Sequence, residues 1–187
     1  MLLDISRLRT GVEPVDRTFA PDAFADLREE FRVVGETTVQ GTVRRDGHGA
    51  AASLMLSARV RSTLEMPCSR CLEPFAVPVD AQVETRFVTR AEFARVTAET
   101  QLSGEIDDHE VQDQDLGLAE YHDESIDLGA VVREQFFLAL PMKPLCQESC
   151  QGLCPVCGKN RNREACECRQ EWVDPRLEAL AKLKKTT

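Results

Sequence analysis

Eight cysteines fall into four close pairs: Cys68/Cys71, Cys146/Cys150, Cys154/Cys157 and Cys166/Cys168. A pair that close lets one turn of chain deliver two thiolates to a metal ion at about 2.3 Å, and zinc prefers four such ligands in a tetrahedron. Four pairs therefore predict two sites, with three pairings possible. Cys154-Pro155-Val156-Cys157-Gly158 is the most specific element. Proline fixes the backbone after the first thiolate, and glycine can take positive φ after the second, which turns backbone N–H groups toward sulfur. The Pro, Gly, Lys and Asn around it argue against a pair of ordinary buried thiols. Cys68-Ser69-Arg70-Cys71 lies between two strand-like stretches, where a metal knuckle can staple a hairpin tip. A redox dithiol of the thioredoxin kind follows a strand and opens a helix. Strand-like sequence follows here instead, which counts against redox catalysis.

Loop closure becomes less favourable as loops lengthen, so Cys154/Cys157 with Cys166/Cys168 is the expected local site. Cys68/Cys71 would then join Cys146/Cys150 and tie the hairpin tip to the end of a covering helix, although sequence alone leaves the other pairings open. Iron–sulfur ligation is the chemical alternative, since four cysteines also hold clusters; knuckle spacing and polar surroundings favour zinc. Four thiolates leave no coordination position for water, so about two structural rather than catalytic zinc ions per chain are expected.

The elements that position these pairs are read from periodicity. Val39, Gly41 and Val43 alternate with Gln40, Thr42 and Arg44, and Asp46-Gly47-His48-Gly49 signals a turn. Leu54, Leu56, Ala58 and Val60 then share one face. After the first cysteine pair, Phe75, Val77, Val79, Ala81, Val83 and Phe87 alternate again, with Pro78 suited to an edge. This period of two predicts three antiparallel strands with one buried face. Asp127 reads as an N-cap, followed by Leu128, Val131, Val132, Gln135, Phe136 and Ala139 at helical spacing up to Pro141. Short helices are expected over 22–31, over 90–99 and after Asp174-Pro175, and 100–123 reads as a flexible or partly disordered acidic loop. The predicted fold is α+β: an antiparallel β-meander covered by a helix, with two zinc-binding elements of four cysteines each and a short C-terminal helix. The expected organisation is an N-terminal segment over 1–30, a β-rich core over 31–145 with an acidic loop over 99–125, and a cysteine-rich zinc module with the C-terminal helix over 146–187.

Net charge over the 187 residues is −9, which excludes coating of nucleic acid by a global field. The balance is uneven: 99–127 holds eleven carboxylates and no Lys or Arg, whereas 143–187 holds nine basic and six acidic residues. Lys159, Arg161, Arg163 and Arg169 lie within or beside the second expected site and form a candidate nucleic-acid-binding set, since a rigid metal module with basic side chains can hold phosphate. An ordinary charged surface is the alternative. His48, His109 and His122 sit in polar sequence away from the cysteines and read as solvated. No HExxH, P-loop, GxSxG or GxGxxG is present, so an enzyme is not expected. No stretch approaches the ~20 apolar residues of a membrane span. The first residues lack the form of a signal peptide. A cytoplasmic protein with reduced thiols is therefore expected.

The motifs then combine into a recognisable pattern. Arg70-Cys71-Leu72-Glu73-Pro74-Phe75 follows Cys68, and Leu138-Ala139-Leu140-Pro141 precedes Pro144-Leu145-Cys146. Cys150-Gln151-Gly152-Leu153-Cys154-Pro155-Val156-Cys157-Gly158 follows, with Asn160 and Asn162, then Cys166-Glu167-Cys168 and Asp174-Pro175-Arg176. Over roughly residues 30–185 the chain resembles the YceD family, the large ribosomal RNA subunit accumulation proteins of bacteria and chloroplasts. Arg161 departs from the family pattern, in which a Leu usually stands between the two Asn. The resemblance implies a non-enzymatic factor in large-subunit assembly that supports ribosomal RNA processing or accumulation. It further implies contact with precursor ribosomal RNA or with a large-subunit ribosomal protein. A zinc-ribbon adaptor for basic protein partners, or a CxxC redox protein, are the alternatives from other classes.

Overall fold

The computed structural model describes residues 1–6, 8, 11–47, 53–95 and 117–168. The turn residues 48 and 49, most of the expected acidic loop, the expected C-terminal helix, His48, His109 and Arg169 lie outside the described residues. The chain divides into two compact units, Met1–Met66 with Ala76–Met142, and Pro67–Phe75 with Lys143–Thr187.

The first unit is mostly β-sheet. Its strands are β1 (Leu2–Asp4), β2 (Gly11–Phe19), β3 (Arg32–Val33), β4 (Thr37–Asp46), β5 (Ser53–Pro67), β6 (Pro74–Thr89), β7 (Leu118–Tyr121) and β8 (Ser125–Asp127); β5 and β6 run on into the second unit. β4 and β5 pair antiparallel with Val39 opposite Val60 and Val43 opposite Leu56. The alternation puts Val39, Val43, Leu54, Leu56, Val60, Val77, Val79, Val83 and Phe87 in the core, as the period of two requires. β7 pairs with β6 only over Arg86–Thr89, so Pro78, which has no N–H to give, lies where β7 does not reach. The buried hydroxyl pair of Thr37 and Ser62, 2.8 Å apart, satisfies itself across the sheet.

Strands β1, β2, β3, β7 and β8 depart from the sequence reading. β2 forms the end of the sheet against β4 although only Val15 of it is fully buried; an edge strand with two wet faces carries no alternation to read. β7 occupies the end of the stretch read as acidic loop, and it runs parallel to β6. β8 pairs with β1 in a separate two-stranded sheet. Segments of three or four residues are too short for periodicity to show.

The helices are short. A 3-10 helix, Pro21–Leu27, replaces the expected helix over 22–31, and residues 90–95 are helical. α1 (Leu128–Ala139) begins where the cap requires it: Asp127 Oδ1 accepts the Gly129 N–H at 2.8 Å. Its buried stripe is Leu128, Val131, Val132 and Phe136. Phe136 meets Phe24 and Phe31 edge-on, with centroids 5.0 and 5.9 Å apart. This geometry places ring edges against ring faces and adds to simple burial. Phe137, one residue on, is 48% exposed while Phe136 is 0% exposed. Phe136→Ala should therefore lower the unfolding free energy by about 3–5 kcal/mol, and Phe137→Ala by well under half of that. Denaturant midpoints of the two variants check this, and equal losses would mean that α1 is rotated from the orientation given.

Candidate metal centres

The second unit collects all eight cysteines, and it gathers them into two quartets. In each quartet the four Sγ atoms lie within 4.8 Å of one another. The quartets are Cys68, Cys71, Cys146 and Cys150, then Cys154, Cys157, Cys166 and Cys168, which is the grouping expected from loop closure.

Two knuckles of the same construction begin the quartets. In the first, the Cys68 N–H donates to the Glu73 carbonyl at 2.9 Å and the Leu72 N–H to the Cys68 carbonyl at 2.9 Å. The Arg70 N–H points at Cys68 Sγ at 3.5 Å. In the second, the Cys154 N–H donates to the Lys159 carbonyl at 2.8 Å and the Gly158 N–H to the Cys154 carbonyl at 2.9 Å. The Val156 N–H points at Cys154 Sγ at 3.4 Å. The residue after each second cysteine is left-handed: Gly158 has φ +74°, and Leu72 has φ +60°. Glycine does this freely, but a leucine there costs roughly 1–2 kcal/mol. Leu72 is also 63% exposed, so burial does not offset that cost.

The first quartet is the drier one. Cys68, Cys71 and Cys150 are buried against Phe75 and Leu145, and Cys146 is exposed. Sulfur–sulfur distances are 3.8 Å for Cys68–Cys150 and 3.7 Å for Cys71–Cys146. The second quartet is wetter, with Cys157 and Cys168 exposed. Its sulfurs stand 3.5 Å apart for Cys157–Cys166 and 3.3 Å for Cys166–Cys154. A disulfide needs about 2.05 Å, whereas the edge of a tetrahedron with 2.3 Å metal–sulfur bonds is about 3.8 Å. The first quartet matches that edge and the second is slightly tighter. Both fit a single ion. A multi-iron cluster distributes its thiolates over several irons and holds them farther apart than 4.8 Å allows.

Electrostatics divide each quartet. Burial pushes the Cys68 thiol up, but backbone N–H groups around it outweigh burial and bring it down to about 6. Backbone N–H groups of Cys157 and Val156 hold Cys154 down to about 6. Desolvation and the crowding of Cys71 and Cys150 push Cys146 up to about 12, and the neighbouring Cys166 and Cys157 push Cys168 up to about 12. Cys71 and Cys166 are also raised. Some sulfurs can ionise only while others keep their protons, which is how like charges share a site without a cation.

The basic residues Lys159, Arg161 and Arg163 differ in their partners, and Arg169 lies outside the described residues. Lys159 pairs with Glu164 at 3.2 Å and Arg163 with Glu73 at 3.1 Å. Arg161 makes no ion pair among the described residues and is exposed. The residues that spacing did not single out are Glu73, Arg70 and Gly152. Arg70 Nη1 donates to the Cys150 carbonyl at 2.8 Å, and the Arg70 carbonyl accepts the Leu153 N–H at 3.0 Å. Gly152 lies so close to that carbonyl that a Cβ would come within 2.9 Å of it.

Comparisons with known proteins place the chain among relatives. The model of a family described as large ribosomal RNA subunit accumulation protein YceD matches residues 56–184. The uncharacterized protein YlbN of Bacillus subtilis is 27% identical over 171 residues, 91% of this chain and 87% of its own. An uncharacterized protein of Mycobacterium tuberculosis is 29% identical over 116 residues, 62% of this chain and 48% of its own, so the chain spans about half the length of that relative. A chloroplastic Arabidopsis thaliana protein named as a homolog of the large ribosomal RNA subunit accumulation protein is 30% identical over 59 residues, 32% of this chain and 18% of its own. No solved structure matches the chain.

A divalent ion held by four thiolates must expel the protons that Cys71, Cys146, Cys166 and Cys168 carry at pH 7. Loading both quartets should therefore release about four protons or more per chain, and affinity should weaken as pH falls from about 8 to about 6, because protons compete for the same sulfurs. Calorimetry in two buffers of different ionisation enthalpy measures the count; binding without proton release would rule out tetrathiolate ligation.

Proposed function

The chain belongs to the YceD family, and from that premise we propose that it is a non-enzymatic, zinc-binding factor in biogenesis of the large ribosomal subunit, supporting ribosomal RNA processing or accumulation in the cytoplasm. The single observation that carries the metal half of this reading is the pair of cysteine quartets with tetrahedral sulfur spacing. The family description and the name of the chloroplastic relative carry the ribosomal half. In this reading Cys68, Cys71, Cys146, Cys150, Cys154, Cys157, Cys166 and Cys168 each bind zinc, two ions in all, and no ion has an open position for substrate. The ions hold shape, and the α+β fold carries its meander under the α1 helix.

Charge bears on the direct partner. Counted from neutral thiols, four thiolates and one dication carry a charge of about −2 per quartet, so two loaded quartets take the formal net charge from −9 to roughly −13. Lys159 and Arg163 each pair with a carboxylate, which reduces the positive charge they offer a phosphate backbone. A basic large-subunit ribosomal protein is the partner this field attracts, and precursor ribosomal RNA is the other contact the family reading allows. No helix among the described residues is long and apolar enough to cross a membrane.

Depletion in the host should leave large-subunit ribosomal RNA under-accumulated or unprocessed; normal RNA and subunit profiles would sink the ribosomal reading. Crosslinking in the same cells should recover a basic ribosomal protein, and recovery of RNA alone would reverse the choice of partner. Cys71→Ser should lose folding stability and fail to restore RNA levels. A stable Cys71→Ser chain that had lost only a thiol oxidoreductase activity would favour the redox class instead.

A further inference from the structure

The two quartets are linked by hydrogen bonds as well as by sequence. The chain from Gly158 to Ala165 is the loop that the second quartet closes, since it runs from Cys157 to Cys166. It lies against residues 150–152, which leave the first quartet. The Arg161 N–H donates to the Gly152 carbonyl at 2.9 Å. Asn162 Oδ1 accepts the Gln151 N–H at 2.8 Å. Asn162 Nδ2 donates to the sulfur of Cys150 at 3.3 Å. Asn160 Oδ1 fixes the orientation of Asn162, accepting both its backbone N–H at 3.0 Å and its Nδ2 at 2.9 Å. Arg163 anchors the same loop to Glu73 inside the first knuckle at 3.1 Å.

One side chain therefore sits on a loop closed by one quartet and places its N–H on a sulfur of the other. We propose that Asn162 is a positioning residue that couples the two metal centres: filling the second orders the loop, sets the donor on Cys150 and tightens the first. A hydrogen bond to a thiolate stabilises its charged form, and groups that orient metal ligands from outside typically change metal affinity by about 10–100-fold. Coupling between sites is reciprocal, so the first centre strengthens the second by the same factor. The proposal rests on the reading of both quartets as metal sites.

Asn162→Asp separates the two roles of the side chain. It keeps an oxygen for the Gln151 N–H and loses the N–H aimed at Cys150. Co2+ titration of the full-length chain, followed by its sulfur-to-metal charge-transfer absorption and competed with Zn2+, reads both centres. Asn162→Ala and Asn162→Asp should each weaken the first centre by about 10–100-fold and shift its charge-transfer band to lower energy, since the sulfur electrons are less stabilised. Cys157→Ser with Cys168→Ser, which disables the second centre, should weaken the first by a similar factor in the parent and by little in the Asn162→Ala background. Should the cysteine variants fail to fold, the two Asn162 variants alone decide by affinity and band position. Unchanged affinity and an unmoved band in both would overturn the coupling while leaving the metal reading intact. A parent chain that binds neither Co2+ nor Zn2+ would overturn the metal reading itself.

Discussion

Four sulfurs packed within 4.8 Å of one another cannot all be ionised without a cation among them. Two unit negative charges about 4 Å apart repel by about 4 kcal/mol at an effective dielectric constant of about 20, and every sulfur of a quartet faces three others. A dication at about 2.3 Å from every sulfur more than offsets that repulsion. Without it the quartet must keep some of its protons, and the split between Cys154 at about 6 and Cys168 at about 12 is that compromise. Most of what is distinctive in the second unit follows from meeting this demand with backbone N–H groups, a left-handed residue after each knuckle and an asparagine placed beside Cys150.

The two centres meet the demand differently. The first draws Cys68 and Cys150 from positions 82 residues apart and buries three of its four cysteines beside Phe75 and Leu145. Distant pairing of that kind is entropically unfavourable in the unfolded chain, so apolar packing and the Arg70 and Glu73 hydrogen bonds support it. The second is local, exposed and built around a glycine that turns without strain. Leu72 is where this economy breaks down: it occupies the position that Gly158 fills in the other knuckle, at a conformational cost and with its side chain in water. Nothing within the described structure explains why a leucine stands there.

The legible parts of the fold were those in which periodicity or ligand spacing repeats. β4, β5 and β6 alternate over ten or more residues each, so their core-facing residues could be read directly from the sequence. Asp127 announced α1 because a cap is a local device, complete within three residues. β2 escaped notice because an edge strand exposes both faces, and β7 because four residues within an acidic stretch carry no period. The quartets were legible as pairs from spacing and as groups from loop length. The residues that tie them together were not, since the reach of Asn162 to Cys150 and of Arg163 to Glu73 depends on where the chain returns. The basic set Lys159, Arg161, Arg163 and Arg169 shows the converse: sequence proximity gave no sign that Lys159 and Arg163 pair with carboxylates.

The account stands on metal in both quartets. The direct measurement is native mass spectrometry with elemental analysis on protein purified from its host without added metal. Two zinc ions per chain, with all eight cysteines protected from alkylation until a chelator is added, is the result the proposed reading predicts. Metal-free chains whose thiols react at once, or iron in place of zinc, would contradict it.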